Sequence, residues 1–108
     1  MKQQREAHRI LVVDDDEGLA RFVEEVLSDA GHEVEVAHDV VGARAAIERA
    51  TFDVVVTDLR MPGASGLDLI AWARAYDPRI AVLAVTAFGS LETAVQAVRL
   101  GASDYIPK

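Results

Sequence analysis

Short apolar runs separated by stretches of helical periodicity constrain this chain more than any other feature. "RILVV" (9–13), "DVVVT" (53–57) and "IAVLAV" (80–85) are near-continuous, as strands buried on both faces are. "EVEVA" (33–37) alternates, as a strand nearer a sheet edge does. After the first run, Leu19, Phe22, Val23, Val26, Leu27 and Ala30 recur at helical spacing and read as a core stripe, with Gly31 where a C-cap is expected. Val40, Ala43, Ile47 and Ala50 mark a second, weaker helix. "MPGASG" is a loop, Leu67, Ile70 and Ala71 begin a third helix, and Pro78 bounds it. Ser90 can cap a fourth helix carrying Leu91, Ala94, Val95 and Val98, closed by Gly101. "SDYI" (103–106) reads as a short fifth strand.

Strand followed by helix, repeated, implies a parallel sheet with helices on both faces. Right-handed crossovers then permit the doubly wound, five-stranded order 2-1-3-4-5 of the flavodoxin-like α/β class. In that order helix 1 covers one face, and helices 2, 3 and 4 cover the other. Ligands bind beyond the carboxyl ends of the strands where the order reverses, here between strands 1 and 3. Strand 1 runs into Asp14 and Asp15, and strand 3 into Asp58. Strand 4 ends at Thr86 and strand 5 near Lys108. The apolar pattern alone places the strands, yet their polar ends converge on one rim.

Three carboxylates in one crevice repel. Two unit charges ~4 Å apart cost about 4 kcal/mol at an effective dielectric near 20. A proton or a cation relieves that repulsion. Oxygen ligands without thiolate favour a hard cation, Mg²⁺ before Zn²⁺. Such a site suits phosphoryl transfer, where positioning and charge neutralisation do most of the catalysis. Asp58 is the candidate nucleophile. Mg²⁺, Lys108 and the Thr86 hydroxyl would hold the phosphoryl oxygens.

The composition excludes several other classes. At 108 residues, 51% hydrophobic, the chain is about one domain with one small core. A formal net charge of −7 disfavours direct nucleic-acid binding. There is no cysteine, hence no disulfide framework or thiolate metal site. No apolar run approaches the ~18 residues of a membrane span, and "MKQQREAHR" lacks a signal core. A cytoplasmic domain over 9–108 with a polar extension over 1–8 is expected.

"ILVVDDDEG", "VVVTDLRMPGASG", "VTAFGS" and "LGASDYIPK" resemble, in order and spacing, the landmarks of two-component response-regulator receiver domains. The closest likeness is to receivers of nitrogen-regulation-type, sigma-54-dependent transcription activators. The resemblance implies that Asp58 accepts a phosphoryl group from a histidine kinase. It implies that Asp15, Asp58 and the Arg60 carbonyl hold Mg²⁺, with Asp14 acting largely through water. It makes Thr86 the switch hydroxyl, Lys108 the phosphate-pairing lysine and Tyr105 the aromatic whose rotamer follows activation. The output domain, absent from this chain, would be transcriptional. No turnover of an external substrate is expected.

Receivers end in a fifth helix, and this chain has none, nor the proline that usually follows the lysine. A cut piece of a longer domain is therefore expected, with a half-bare face on strands 3, 4 and 5 through which it forms a homodimer or swaps elements. Other readings of the same residues stay open. Asp14 and Asp15 could form a strand-to-helix cap, Asp58 could be a turn aspartate, and Lys108 a solvated terminus. Tyr105 could simply be packed. "DDD" also offers the D-x-D of haloacid-dehalogenase phosphatases, with Asp14 as nucleophile, and a receiver-like pocket could bind without ever being phosphorylated. Asp14, Asp16 and Glu25 fall at calcium-loop positions, but Gly18 and Leu19 do not fit that loop. His8, His32 and His38 read as surface residues, and Trp72 as packing.

Overall fold

The computed structural model describes residues 7–59, 66–86, 95 and 97–107, with the backbone alone at 86 and 104–107. Its strands are β1 (Arg9–Val13), β2 (Glu33–Ala37), β3 (Val54–Asp58), β4 (Ala81–Thr86) and β5 (Asp104–Pro107); its helices are α1 (Glu17–Asp29), α2 (Val40–Arg49) and α3 (Gly66–Tyr76). The strands form one parallel sheet in the order β2-β1-β3-β4-β5. Of the expected fourth helix, 95 and 97–99 are helical, while Ser90, Leu91 and Ala94 lie outside the described residues.

Three strands sit one residue later than the apolar pattern places them. Regular pairing of β3 with β1 starts at Ile10↔Val54; Asp53 before it binds Arg9 twice, donating its N–H to Arg9 O at 2.8 Å and accepting the Arg9 N–H on Oδ2 at 2.8 Å. β4 and β5 follow in register, Val54 facing Ala81 and Leu83 facing Asp104. The shift brings Asp58 into the strand as its last residue.

The two faces of the sheet carry separate cores. Leu11, Val13, Val55, Val82 and Ala84 point towards α2 and α3 and pack with Ala43, Ile47, Leu69, Ile70 and Ala73. Ile10 and Val12 point the other way, against Ala20 of α1, with Val23, Leu27, Val34, Val36, Val54 and Val56 around them. The alternation follows from the period of two along a strand. α2 is capped by Asp39, which accepts from the Gly42 N–H, and α1 ends at Gly31 with φ +99, a conformation glycine adopts without a Cβ penalty.

The expected core stripe on α1 is only half correct. Val23 and Leu27 pack on the sheet beside Ala20, a residue outside that stripe and the one fully buried in α1, whereas Phe22 is 61% and Val26 51% exposed and Ala30 is exposed too. A single helix on a sheet buries a limited arc. At ~100° per residue, Val26 and Phe22 lie roughly 90° and 130° from the middle of that arc. On the same side of the sheet Leu83 and Val85 are half-buried, whereas Val82 and Ala84 on the opposite face are buried. α3 is also rotated from expectation: Gly66, Leu69, Ile70 and Ala73 are its buried residues, with Leu67 and Ala71 half-buried. Trp72 packs as expected, stacked on Tyr76 at 4.9 Å with the Arg44 guanidinium 5.2 Å from its ring.

Candidate functional site

Parallel pairing of β1 with β3 aligns Val13 with Thr57, so the residues that follow, Asp14 and Asp58, leave the sheet side by side. Asp14 and Asp58 are each 6% exposed, and Asp15 is exposed. One carboxylate oxygen from each of the three lies within 4.8 Å of the others, which is the one such acidic or histidine cluster among the described residues. At that separation each pair of charges repels by about 3–4 kcal/mol at an effective dielectric near 20. A cation placed among them offsets this. Three hard oxygen donors in a crevice open on one side fit a hydrated divalent ion such as Mg²⁺.

Local hydrogen bonds hold the cluster in place. The N-cap of α1 is Asp16, whose Oδ1 accepts from the Leu19 N–H at 3.1 Å, so capping falls to neither Asp14 nor Asp15. Asp14 Oδ1 accepts from the Asp16 N–H at 3.0 Å, which turns its carboxylate back over the strand end. Beneath Asp58, the buried Thr57 hydroxyl donates to the Asp58 carbonyl at 2.9 Å. α3 starts against that same carbonyl. The Gly66 N–H donates to Leu59 O at 3.2 Å, and a Cβ on Gly66 would stand 2.1 Å from Asp58 O. Glycine is required there because backbone meets backbone.

Of the remaining expected site residues, Thr86 closes β4 one residue beyond Val85, the partner of Asp58, and pairs with Pro107 of β5. The backbone of these strand ends therefore reaches the acidic rim. The side chains of Thr86 and Tyr105, and the whole of Arg60 and Lys108, lie outside what the structure describes. The calcium-loop reading fails: Glu25 sits within α1 and Asp16 caps that helix.

One residue at the site was set among the surface histidines. His38 follows β2 and is exposed, but its Nδ1 lies 3.2 Å from the Asp14 carbonyl oxygen. A carbonyl can only accept, so Nδ1 carries the proton. No motif marks this residue; only the adjacency of β1 and β2 could have found it. His8 and His32 stack at the opposite end of the sheet, where the His8 N–H donates to His32 Nδ1. A cleft of about 390 Å³, lined in part by Phe52, Tyr76, Asp77 and Ile80, also opens at that opposite end. No helix among the described residues is long and apolar enough to cross a membrane.

A doubly wound parallel sheet with three aspartates at its point of reversal places an acidic pocket where folds of this class bind their ligands. The chain belongs to the response regulator receiver domain family, whose model matches residues 10–108. It is 39% identical over 100 residues to the alginate biosynthesis transcriptional regulatory protein AlgB of Pseudomonas aeruginosa, covering 93% of this chain and 22% of that protein. Its structure is similar to that of a Burkholderia pseudomallei response regulator with a phosphorylated aspartic acid, calcium ion and citrate: TM-score 0.90, 35% identity, 94% of this chain and 59% of that one. It is also similar to the Thermotoga maritima response regulator TrrA in complex with Mg²⁺ and BeF: TM-score 0.85, 28% identity, 94% and 86%. The chain spans about a fifth of the length of the curated relatives it matches.

Proposed function

We propose that this domain is a phosphorylation switch, with Asp58 taking a phosphoryl group from a phosphohistidine of a histidine kinase in a Mg²⁺-dependent reaction. The observation that carries the proposal is the convergence of Asp14, Asp15 and Asp58 to within 4.8 Å at the reversal of strand order. An Asp58 carboxylate oxygen attacks phosphorus. The new O–P bond forms as the P–N bond breaks, and its electron pair returns to the donor imidazole. Asp58 is thereby a covalent acceptor, and water later hydrolyses the acyl phosphate. Held by Asp15, Asp58 and the Arg60 carbonyl, with Asp14 acting through water, Mg²⁺ would supply neutralisation of the phosphoryl oxygens. Thr86 donates its hydroxyl to one of those oxygens, and Lys108 pairs with another. Tyr105 then turns inward, changing the surface beside β5.

The added phosphate brings roughly −1.5 to −2 charges at pH 7, enough to bias a two-state element. The reading draws support from the phosphorylated aspartate and the Mg²⁺–BeF complex in the two similar structures. A transcriptional output domain is in keeping with the name of AlgB, and sigma-54 dependence of that output and a cytoplasmic setting complete the proposal. The domain turns over no external substrate. Self-association through the half-bare face of β3, β4 and β5, where Val54, Val56, Leu83 and Val85 are half-buried, belongs to the same reading, and concentration-independent light scattering at monomer mass removes it.

Acetyl phosphate labelling followed by intact-mass spectrometry tests the central step. Wild type should gain one phosphoryl group in Mg²⁺ and none in chelator, and Asp58→Asn should gain none. Equal labelling of Asp58→Asn overturns the assignment. The phosphatase alternative requires instead that Asp14→Asn abolish turnover of a phosphomonoester while Asp58→Asn retains some.

A further inference from the structure

We infer that His38 is a positioning residue for the acidic site, acting through the peptide that joins Asp14 to Asp15; this rests on the Mg²⁺-binding reading above. The last rung of the β1–β2 ladder is Val13↔Ala37. Beyond it, β2 grips the next peptides of β1 from two sides. The Asp14 N–H donates to Ala37 O at 3.1 Å, and the His38 imidazole donates from Nδ1 to Asp14 O at 3.2 Å. The second bond replaces a rung that the backbone can no longer supply, because the chain turns away after Ala37 into α2, capped by Asp39.

The Asp14 carbonyl is half of the Asp14–Asp15 peptide plane. Fixing its direction fixes where the Cα of Asp15 sits, and with it the reach of the exposed Asp15 carboxylate. Asp14 and Asp58 are each held in the buried end of the crevice, 6% exposed, so Asp15 is the member of the cluster whose position most needs support. The donor must be at the δ position, one bond beyond Cγ. Asparagine can place an amide N–H there. Glutamine places it one atom farther, and alanine has no donor.

Losing one such hydrogen bond should weaken Mg²⁺ binding by roughly three- to ten-fold. The experiment is Mg²⁺ titration calorimetry on the 108-residue chain, with initial acetyl phosphate labelling rates at varied Mg²⁺, for wild type, His38→Ala, His38→Gln and His38→Asn. Ala and Gln should raise the half-saturating Mg²⁺ concentration by that factor while the rate at saturating Mg²⁺ stays within about two-fold, and Asn should restore the wild-type value. Melting in chelator reports folding separately. If His38→Ala fails to fold, the Asn–Gln pair carries the same comparison. Wild-type binding with unchanged affinity in His38→Ala, or with Asn no better than Gln, overturns the inference alone. A wild-type chain that binds no Mg²⁺ overturns the proposed function as well.

Discussion

Replacing Gly66 by alanine should damage both the fold and the acceptor site, and the size of the effect follows from the contacts. A Cβ at Gly66 would lie 2.1 Å from Asp58 O, 2.8 Å from Leu59 Cα and 3.0 Å from the Asp58 carbonyl carbon. All three are backbone atoms, so no flexible side chain can yield. Either the start of α3 or the end of β3 must move by about 1 Å to restore an ordinary contact. Overpacking of this kind costs about 1–3 kcal/mol, and improved helix propensity returns at most about 1 kcal/mol. A net loss of ~2 kcal/mol lowers the melting temperature of a domain this size by roughly 8–16 °C. Because β3 ends in Asp58, the same shift displaces the carboxylate proposed as acceptor, and a displacement of about 1 Å can slow a positioned reaction by as much as ~100-fold. Thermal melting and acetyl phosphate labelling at saturating Mg²⁺ read the two effects. Gly18→Ala is the control: its Cβ would meet only Asp16 Oδ1, at 3.5 Å, within α1, and it should stabilise by about 0.5 kcal/mol. The reasoning is refuted if Gly66→Ala melts within about 2 °C of wild type and is labelled at the wild-type rate.

Mg²⁺ should raise the wild-type melting temperature, because a ligand of the native state alone stabilises it. Asp15→Asn should melt higher than wild type in chelator, having lost one of three mutually repelling charges, and should gain less from Mg²⁺; a wild-type curve indifferent to Mg²⁺ argues against the metal site. The Asp77 carboxyl is held below the ordinary carboxylate range first by a hydrogen bond from the Arg79 side chain and then by the Arg79 N–H, against desolvation, with the Arg79 charge adding least. A lowered folded-state value adds stability above the ordinary range and loses it as pH falls through the lowered value. The stability gap between wild type and Asp77→Asn should therefore shrink on going from neutral pH into strong acid. Asp77 is half-buried, but Arg79 is exposed and solvent screens the pair, so the gap is small, and urea midpoints that differ equally at both pH values contradict it.

Much of this protein is legible in its sequence because the signals are local. Three buried runs, one alternating strand and their helical neighbours specify a parallel α/β layer, and the acidic residues at the strand ends need only the reversal rule to be brought to one rim. The positions of Asp14, Asp15 and Asp58 follow from two strand ends, β1 terminating with its apolar run and β3 one residue beyond its run. What depended on tertiary contacts was of another kind. The one-residue shift of β3, β4 and β5 is a matter of strand register, Val54 facing Ile10 and Ala81, and Leu83 facing Asp104. The exposure of Phe22 and Val26 depends on how wide an arc of α1 the sheet can cover, which periodicity does not record. The role of Gly66 appears only once α3 is set against the carbonyl of Asp58. His38 reaches the site through the pairing of β2 with β1, and nothing in its neighbours along the chain distinguishes it from a surface histidine. Periodicity and strand-end chemistry act over a few residues and can be read in order, whereas register, coverage and backbone contact are set by what the fold brings together.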